Sequence, residues 1–280
     1  MKWTNESNLP EMLCSAIRND TYEKVGDMSV TELIAPPQIR QLKKRHETTE
    51  DVSDHIFRLM GSAIHEVIAR ADTTNALSEE RLTVEVGSIT LSGKPDLYVD
   101  GNLYDYKVTS LYAVKEVKPE WEAQLNIYRW MLWRHGFEVK NLYILAILRD
   151  WSKRKAGRND CPTKQVVVLP VKMWSFIDIA RYITDRINLH KQAETLSDGA
   201  LPPCTDEERW HKPDTWAVIK KGNKTAKRVL PSKGEAETYL TNLKDGGRFG
   251  IVFRPGEDIR CQDYCVVCEF CQQYNGGNGK

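Results

Sequence analysis

GKPDLYVDGNLYDYK, residues Gly93–Lys107, decides how the rest of the chain reads. Apolar alternation runs through Leu91, Gly93, Leu97 and Val99, and Asp100-Gly101-Asn102 is a tight-turn signal. A second strand then runs from Leu103 to Val108. A hairpin about that turn brings Asp96 and Asp105 to the same end of the strand pair. Asp105 and Lys107 are two residues apart, so their side chains leave one face of the strand. Two carboxylates and an ammonium at one point suit divalent-metal hydrolysis of a phosphodiester. Hard oxygen ligands hold Mg²⁺ or Mn²⁺. The metal polarises the phosphate and acidifies a water, while a lysine positions that water or stabilises developing charge.

The chain has 280 residues, enough for one large domain with a small appendage. Hydrophobic residues make up 41%, which supports an ordinary core, and the net charge is +1, so no global positive field points to nucleic acid. No apolar run reaches the length of a membrane span and no basic-then-apolar leader opens the chain. The expectation is a soluble, cytoplasmic protein with no membrane partner. The cysteines are Cys14, Cys161, Cys204, Cys261, Cys265, Cys268 and Cys271. Clustering of the last four within eleven residues reads as a metal site in a reducing compartment, not as a disulfide framework.

Outward from the hairpin, residues 81–109 read as three strands, RLTVEVGS, ITLSGKPDLYV and GNLYDYKVT. Glu85 on the first faces solvent or backs the site from behind. The preceding segment 51–71 has helical apolar spacing through Ile56, Leu59, Met60, Ala63, Ile64, Val67 and Ile68, which predicts one buried stripe. His65 lies on it, and Gly61 one turn earlier leaves space beside the imidazole. Residues 118–135 form a second amphipathic helix with Pro119 in its first turn. On it Gln124 and Tyr128 share a face, either packing on the sheet or aimed at a phosphate or base.

SVTELI, from Ser29, opens a helix that Pro36-Pro37 interrupts. The basic stretch that follows, with Arg40, Lys43, Lys44 and Arg45, is a solvated face or a DNA-backbone contact. Residues 139–149 read as a buried strand. The loop after it, with Trp151, Lys153 and Arg154, suits single-stranded nucleic acid or is an ordinary exposed loop. A strand over 164–171 and a helix over 172–195 follow. Pro202-Pro203-Cys204 marks a boundary, and beyond it the pattern is a ββαβ-like piece. The expected domains are a peripheral segment 1–27, a core 28–200, a small subdomain 201–271 with the cysteine-rich metal site, and a flexible tail 272–280.

The ordered set GSAIHE, GKPD, DYK and QLNIY resembles the RecB-type branch of the PD-(D/E)xK nuclease superfamily. It is most similar there to bacteriophage exonucleases related to the CRISPR-associated exonucleases that carry an iron–sulfur cluster. The resemblance covers about residues 28–271 and implies a mixed central sheet flanked by helices, the restriction-endonuclease-like α/β core. By motif it makes His65, Asp96, Asp105 and the backbone carbonyl of Tyr106 metal ligands. Lys107 positions or activates the water, and Gln124 with Tyr128 touches DNA or the lysine. Asp105 stands where many members have Glu, which demands closer approach.

The cluster-bearing relatives close with C-x2-C-x5-C after one early cysteine. Here the closing spacing between Cys261 and Cys265 is three, and Pro36-Pro37 sits where the early cysteine belongs. The ligands are then Cys204, Cys261, Cys265 and Cys271, with Cys14 competing for the first place and Cys268 able to replace one. A [4Fe–4S] cluster or structural Zn²⁺ suits such a set. The activity the resemblance implies is a Mg²⁺/Mn²⁺-dependent DNA exonuclease of phage recombination or DNA processing. It would act on linear or single-stranded DNA, beside a recombination or single-strand-binding protein. A structure-selective or site-specific endonuclease shares the same site, and a non-catalytic nucleic-acid-binding protein is the reading from another class.

Overall fold

The computed structural model describes residues 1–20, 25–71, 76–158 and 160–277. The chain is mixed α/β and divides into two compact units, Met1–Pro202 and Pro203–Lys280. The first unit opens with strand β1 (Lys2–Thr4), helix α1 (Glu11–Asn19), strand β2 (Met28–Ser29), helices α2 (Val30–Ile34) and α3 (Pro37–Arg45), strand β3 (Thr49–Asp51) and helix α4 (Ile56–Ala69). Strands β4 (Ala76–Ser78), β5 (Leu82–Val86), β6 (Ile89–Gly93), β7 (Leu97–Val99) and β8 (Asn102–Thr109) follow. Helix α5 (Pro119–Arg134), strands β9 (Asn141–Leu148) and β10 (Val166–Val171) and helix α6 (Phe176–Thr195) complete the unit.

Five strands form one sheet in the order β10-β9-β8-β7-β4, and three form another in the order β2-β6-β5. β8 and β9 are parallel, joined through α5, while the other pairs of the larger sheet are antiparallel. The β7–β8 connection is a two-residue turn in which Asp100 and Gly101 both have positive φ, 50° and 78°. That backbone matches the twist of a hairpin, and glycine adopts it without strain.

The stretch ITLSGKPDLYV, expected as one strand, is two strands in two different sheets. Pro95 has no N–H to give to a ladder and disfavours helical backbone at Lys94. The chain therefore leaves one sheet after Gly93 and enters the other at Leu97. Gly93 marks the crossing: a Cβ there would lie 2.6 Å from Tyr128 Cε1 and 3.1 Å from Met131 Sδ. The bare backbone lets α5 settle onto β6.

Two expectations about helices are corrected. No residue of α4 is buried; its apolar stripe is only half covered, and Phe57, Met60 and Val67 are exposed. Helix α5 is buried on nearly every side, from Trp121 to Leu132, because it packs on the sheet and also against α2 and α6. The main core gathers Leu103, Leu125, Met131, Leu142, Ile144 and Leu148 between sheet and helix. The N-terminal residues add a cluster of Cys14, Ile17 and Val52. Ser29 caps α2 through a capping box with Glu32, and Pro37 starts α3.

The second unit contains helix α7 (Asp206–Arg209), strands β11 (His211–Lys212), β12 (Thr215–Lys220) and β13 (Ala226–Leu230), and helix α8 (Lys233–Thr241). Strands β14 (Phe249–Arg254) and β15 (Glu257–Asp258) and helices α9 (Ile259–Asp263) and α10 (Gln272–Gly277) end it. Its sheet has the order β13-β12-β14, all antiparallel, with Val218 and Leu230 packed on Ala236 of α8. The tail expected at 272–280 is helical through Gly277; residues 278–280 lie outside the described residues. No helix among the described residues is long and apolar enough to cross a membrane.

Candidate active site

β7 is short. Its last pair with β8 is Leu97 with Tyr104, so the β8 edge beyond Tyr104 has no strand partner on that side. Asp96 fills the gap: its Oδ2 accepts the Tyr106 backbone N–H at 2.6 Å. On the other side of β7, Ser78 pairs with Leu97, which carries Glu79 to Asp96. Glu79 has φ +55°, a left-handed backbone uncommon for a residue with a side chain, and its N–H donates to the Asp96 carbonyl. His65 descends from α4 onto the pair. Its Nδ1 lies 2.9 Å from Glu79 Oε1 and 3.5 Å from Asp96 Oδ1. One ligand atom from each of His65, Glu79 and Asp96 falls within 4.8 Å of the others. Glu79 is a residue the sequence reading missed. It sits beyond a three-residue strand with no alternation to announce it, and only the β4–β7 register brings it in. Glu85 is exposed, accepting from Thr90 Oγ1.

Asp105 lies on the face of β8 that also carries Leu103, opposite Ile144 of β9, and is 1% exposed. An apolar residue is the ordinary occupant of such a position. Asp105 Oδ2 is ion-paired with Lys107 Nζ at 2.7 Å, and among the described residues no backbone N–H or hydroxyl donates to either oxygen. Lys107 is in turn oriented from α5: Nζ donates to Gln124 Oε1 at 3.1 Å, and Gln124 Nε2 donates to the Tyr128 hydroxyl at 3.3 Å. His65, Glu79, Asp96, Asp105, Lys107, Gln124 and Tyr128 all line one cleft of about 960 Å³. Gly61 lines it too, but a Cβ there would meet nothing within 4 Å, so its bareness leaves the cleft open and is not needed by the imidazole.

The electrostatics follow from burial and crowding. Asp96 is pushed up to about 7, first by burial and then by the Asp105 charge. His65 is raised, chiefly by its hydrogen bond to Glu79. Burial pushes the Glu79 carboxyl up, but bonding to His65 and to Lys94, 2.6 Å away, outweighs it and the net shift is down. Burial likewise opposes the charge on Lys107, yet pairing with Asp105 leaves its pKa above the ordinary lysine value.

A divalent cation fits this donor set. The sign is the crowding of ligand groups: His65, Glu79 and Asp96 offer ligand atoms within 4.8 Å of one another, and Asp96 and Asp105 are two buried carboxylates beside the single ammonium of Lys107. The residues that would hold a hard cation are Asp96, Glu79, His65 and Asp105. Loading it displaces the protons that Asp96 and His65 otherwise retain.

The expected nucleic-acid contacts are scattered. Arg40 and Lys44 are both engaged with Glu194, at 3.2 and 3.4 Å. Trp151 packs against the main core and donates its indole N–H to the Pro162 carbonyl, so the ring serves the fold. Lys43, Lys153 and Arg154 are exposed.

Of the cysteines, Cys14 is enclosed in the N-terminal cluster with its thiol on the Leu9 carbonyl. Cys204, Cys261, Cys265, Cys268 and Cys271 all belong to the second unit. Gln273 on α10 clamps Cys204 by accepting from its N–H and donating to its carbonyl. Burial pushes the Cys204 thiol up to about 12 and Cys261 to about 11. Among the described residues no three of these sulfurs lie mutually within 4.8 Å.

No protein-family model matches the chain, and no curated protein matches it. Among solved structures it is similar to SSO0001, at 16% identity and TM-score 0.44, over 65% of this chain and 86% of that one. It is also similar to a chain from Eubacterium rectale described as "Putative exonuclease", at 12% identity and TM-score 0.26, over 50% of this chain and 49% of that one. At these values neither likeness bears on function.

Proposed function

We propose that the chain is a metal-dependent deoxyribonuclease acting as an exonuclease on linear DNA. The observation that carries this reading is the convergence of His65, Glu79 and Asp96 within 4.8 Å, beside the buried Asp105–Lys107 ion pair, in one open cleft. A bound Mg²⁺ or Mn²⁺ supplies charge neutralisation at the phosphate and a more acidic water. The protein's own residues supply the rest. Asp96, Glu79, His65 and Asp105 gather negative charge and an imidazole on one wall. Lys107, held by Gln124, would offer an ammonium to the attacking water and the phosphate oxygens. Tyr128 fixes Gln124 and thereby the lysine. Water adds to phosphorus and gives a proton to solvent, the bridging P–O bond breaks, and the leaving oxygen takes a proton back from solvent.

The setting we infer is DNA recombination or processing in the cytoplasm of a phage-infected bacterium, beside a recombination or single-strand-binding protein. In the second unit the cysteine set Cys204, Cys261, Cys265 and Cys271 is inferred to hold a [4Fe–4S] cluster in preference to Zn²⁺. All-cysteine ligation suits either group, and their spectra separate them. A visible absorption band in anaerobically purified protein supports the cluster; bound zinc without that band refutes it.

The nuclease test uses end-labelled linear DNA, with a covalently closed circle as the second substrate and Mn²⁺ present. Degradation of the linear form alone, lost in Asp105→Asn and Lys107→Ala with circular dichroism unchanged, supports an exonuclease. Undiminished cleavage by both variants overturns the assignment of the site, and nicking of the circle overturns the exonuclease.

A further inference from the structure

We propose that the tip of the β12–β13 hairpin in the second unit is a docking surface for the phosphate backbone of duplex DNA. Residues 215–230 carry five basic side chains, Lys220, Lys221, Lys224, Lys227 and Arg228, and no acidic one. In a chain whose net charge is only +1, that is a local concentration of one sign. A merely solvated surface interleaves both signs. All five side chains are exposed. None forms an ion pair with a carboxylate among the described residues, whereas Arg40, Lys44 and Arg45 in the first unit are paired with Glu194 or Asp198.

The fold gathers these charges at one end. The turn closes around Gly222, at φ +87°, with the Asn223 N–H on the Lys220 carbonyl. The Lys221 N–H donates to the carbonyl of Arg248, which lies just before β14 and whose guanidinium is paired with Asp245 at 4.0 Å. A bulge between Val218 and Ile219 shifts the register, so that Arg228 faces Val218 and Lys227 is left between ladder positions. Two of the heads rest on aromatic rings: Lys227 Nζ lies 5.0 Å from the Phe249 centroid and Arg228 Cζ 5.1 Å from that of Tyr239. Rings beneath the cations restrict them before any ligand arrives. An exposed row of cations at the end of a sheet suits the duplex backbone, whose phosphates recur about every 1.7 Å along the axis. The choice of DNA over RNA rests on the nuclease reading; the surface itself does not.

The test measures fluorescence anisotropy of a labelled duplex of about 20 base pairs with the full chain, without added divalent metal, across KCl concentrations. The quadruple variant Lys220→Glu, Lys221→Glu, Lys224→Glu, Lys227→Glu is expected to reduce the slope of log affinity against log salt by about 3 to 4, at about 0.9 per phosphate contact. Should that variant misfold, the exposed pair Lys221→Gln, Lys224→Gln is expected to reduce it by about 2. An unchanged slope in the folded variants overturns the proposal. So does a loss confined to the single-stranded form of the oligonucleotide. Mn²⁺-dependent cleavage by the parent separates the two readings. A lysine-dependent slope without cleavage keeps this surface and removes the nuclease, while cleavage with an unchanged slope does the reverse.

Discussion

Replacing Asp96 by Asn should stabilise the metal-free protein while abolishing metal-dependent cleavage. Asp96 is 8% exposed, and burial with the neighbouring Asp105 charge moves its pKa from 3.8 to about 7. Because the folded state holds this proton more tightly than the unfolded chain, the stability it contributes is complete below about pH 3.8 and is lost as pH rises through 7. The uncharged amide escapes that loss. It also keeps the Tyr106 N–H satisfied, since an amide oxygen can accept where Oδ2 does. At 1.36 kcal/mol per pKa unit, the advantage of Asn is about 2 kcal/mol at pH 5.5 and about 4 kcal/mol at pH 8. The difference of about 2 kcal/mol corresponds to about 4–8 °C in Tm for a unit of this size. Thermal unfolding with a chelator present, between those two pH values, reads it directly. Adding Mn²⁺ should raise Tm for the parent and not for the variant, because the cation binds only the complete site. An advantage that is constant across this range, or missing at pH 8, refutes the reasoning.

Gly93→Ala should cost about 1–3 kcal/mol in urea unfolding, since the new Cβ meets Tyr128, Val30 and Met131 at 2.6–3.1 Å. It should also lower nuclease activity by shifting the Tyr128 hydroxyl off Gln124; unaltered kinetics would separate Tyr128 from the lysine. Gly61→Ala, where nothing lies within 4 Å, should stabilise α4 by about 0.5–1 kcal/mol, and a lower Tm would contradict the open cleft. His190 is fully buried with Nε2 on the Leu33 carbonyl, and burial pushes it down to about 4. The unfolded chain binds the proton first, so stability falls as pH drops from about 6.5 towards 4, by up to about 3 kcal/mol. His190→Gln should flatten that limb of the stability profile, and an unchanged limb would assign it to other groups.

The sequence by itself determined the parts of the site whose geometry is local. Alternation fixes Asp105 and Lys107 on one face of β8, and helical spacing fixes Gln124 and Tyr128 on one face of α5. The Asp-Gly turn fixes the hairpin register. The second unit's ββαβ order was readable for the same reason: tight turns and short-period patterns depend on near neighbours. Tertiary structure alone decided the remainder. Whether α4 buries its stripe depends on what packs over it, and little does, so periodicity overestimated its burial. The break at Pro95 between two sheets depends on which strands are available to pair on either side. Glu79 enters the site only through β4, a three-residue strand paired with β7 across a gap in sequence. Arg40 and Lys44 looked free until α6 brought Glu194 to them, because charge in a sequence carries no record of its partner.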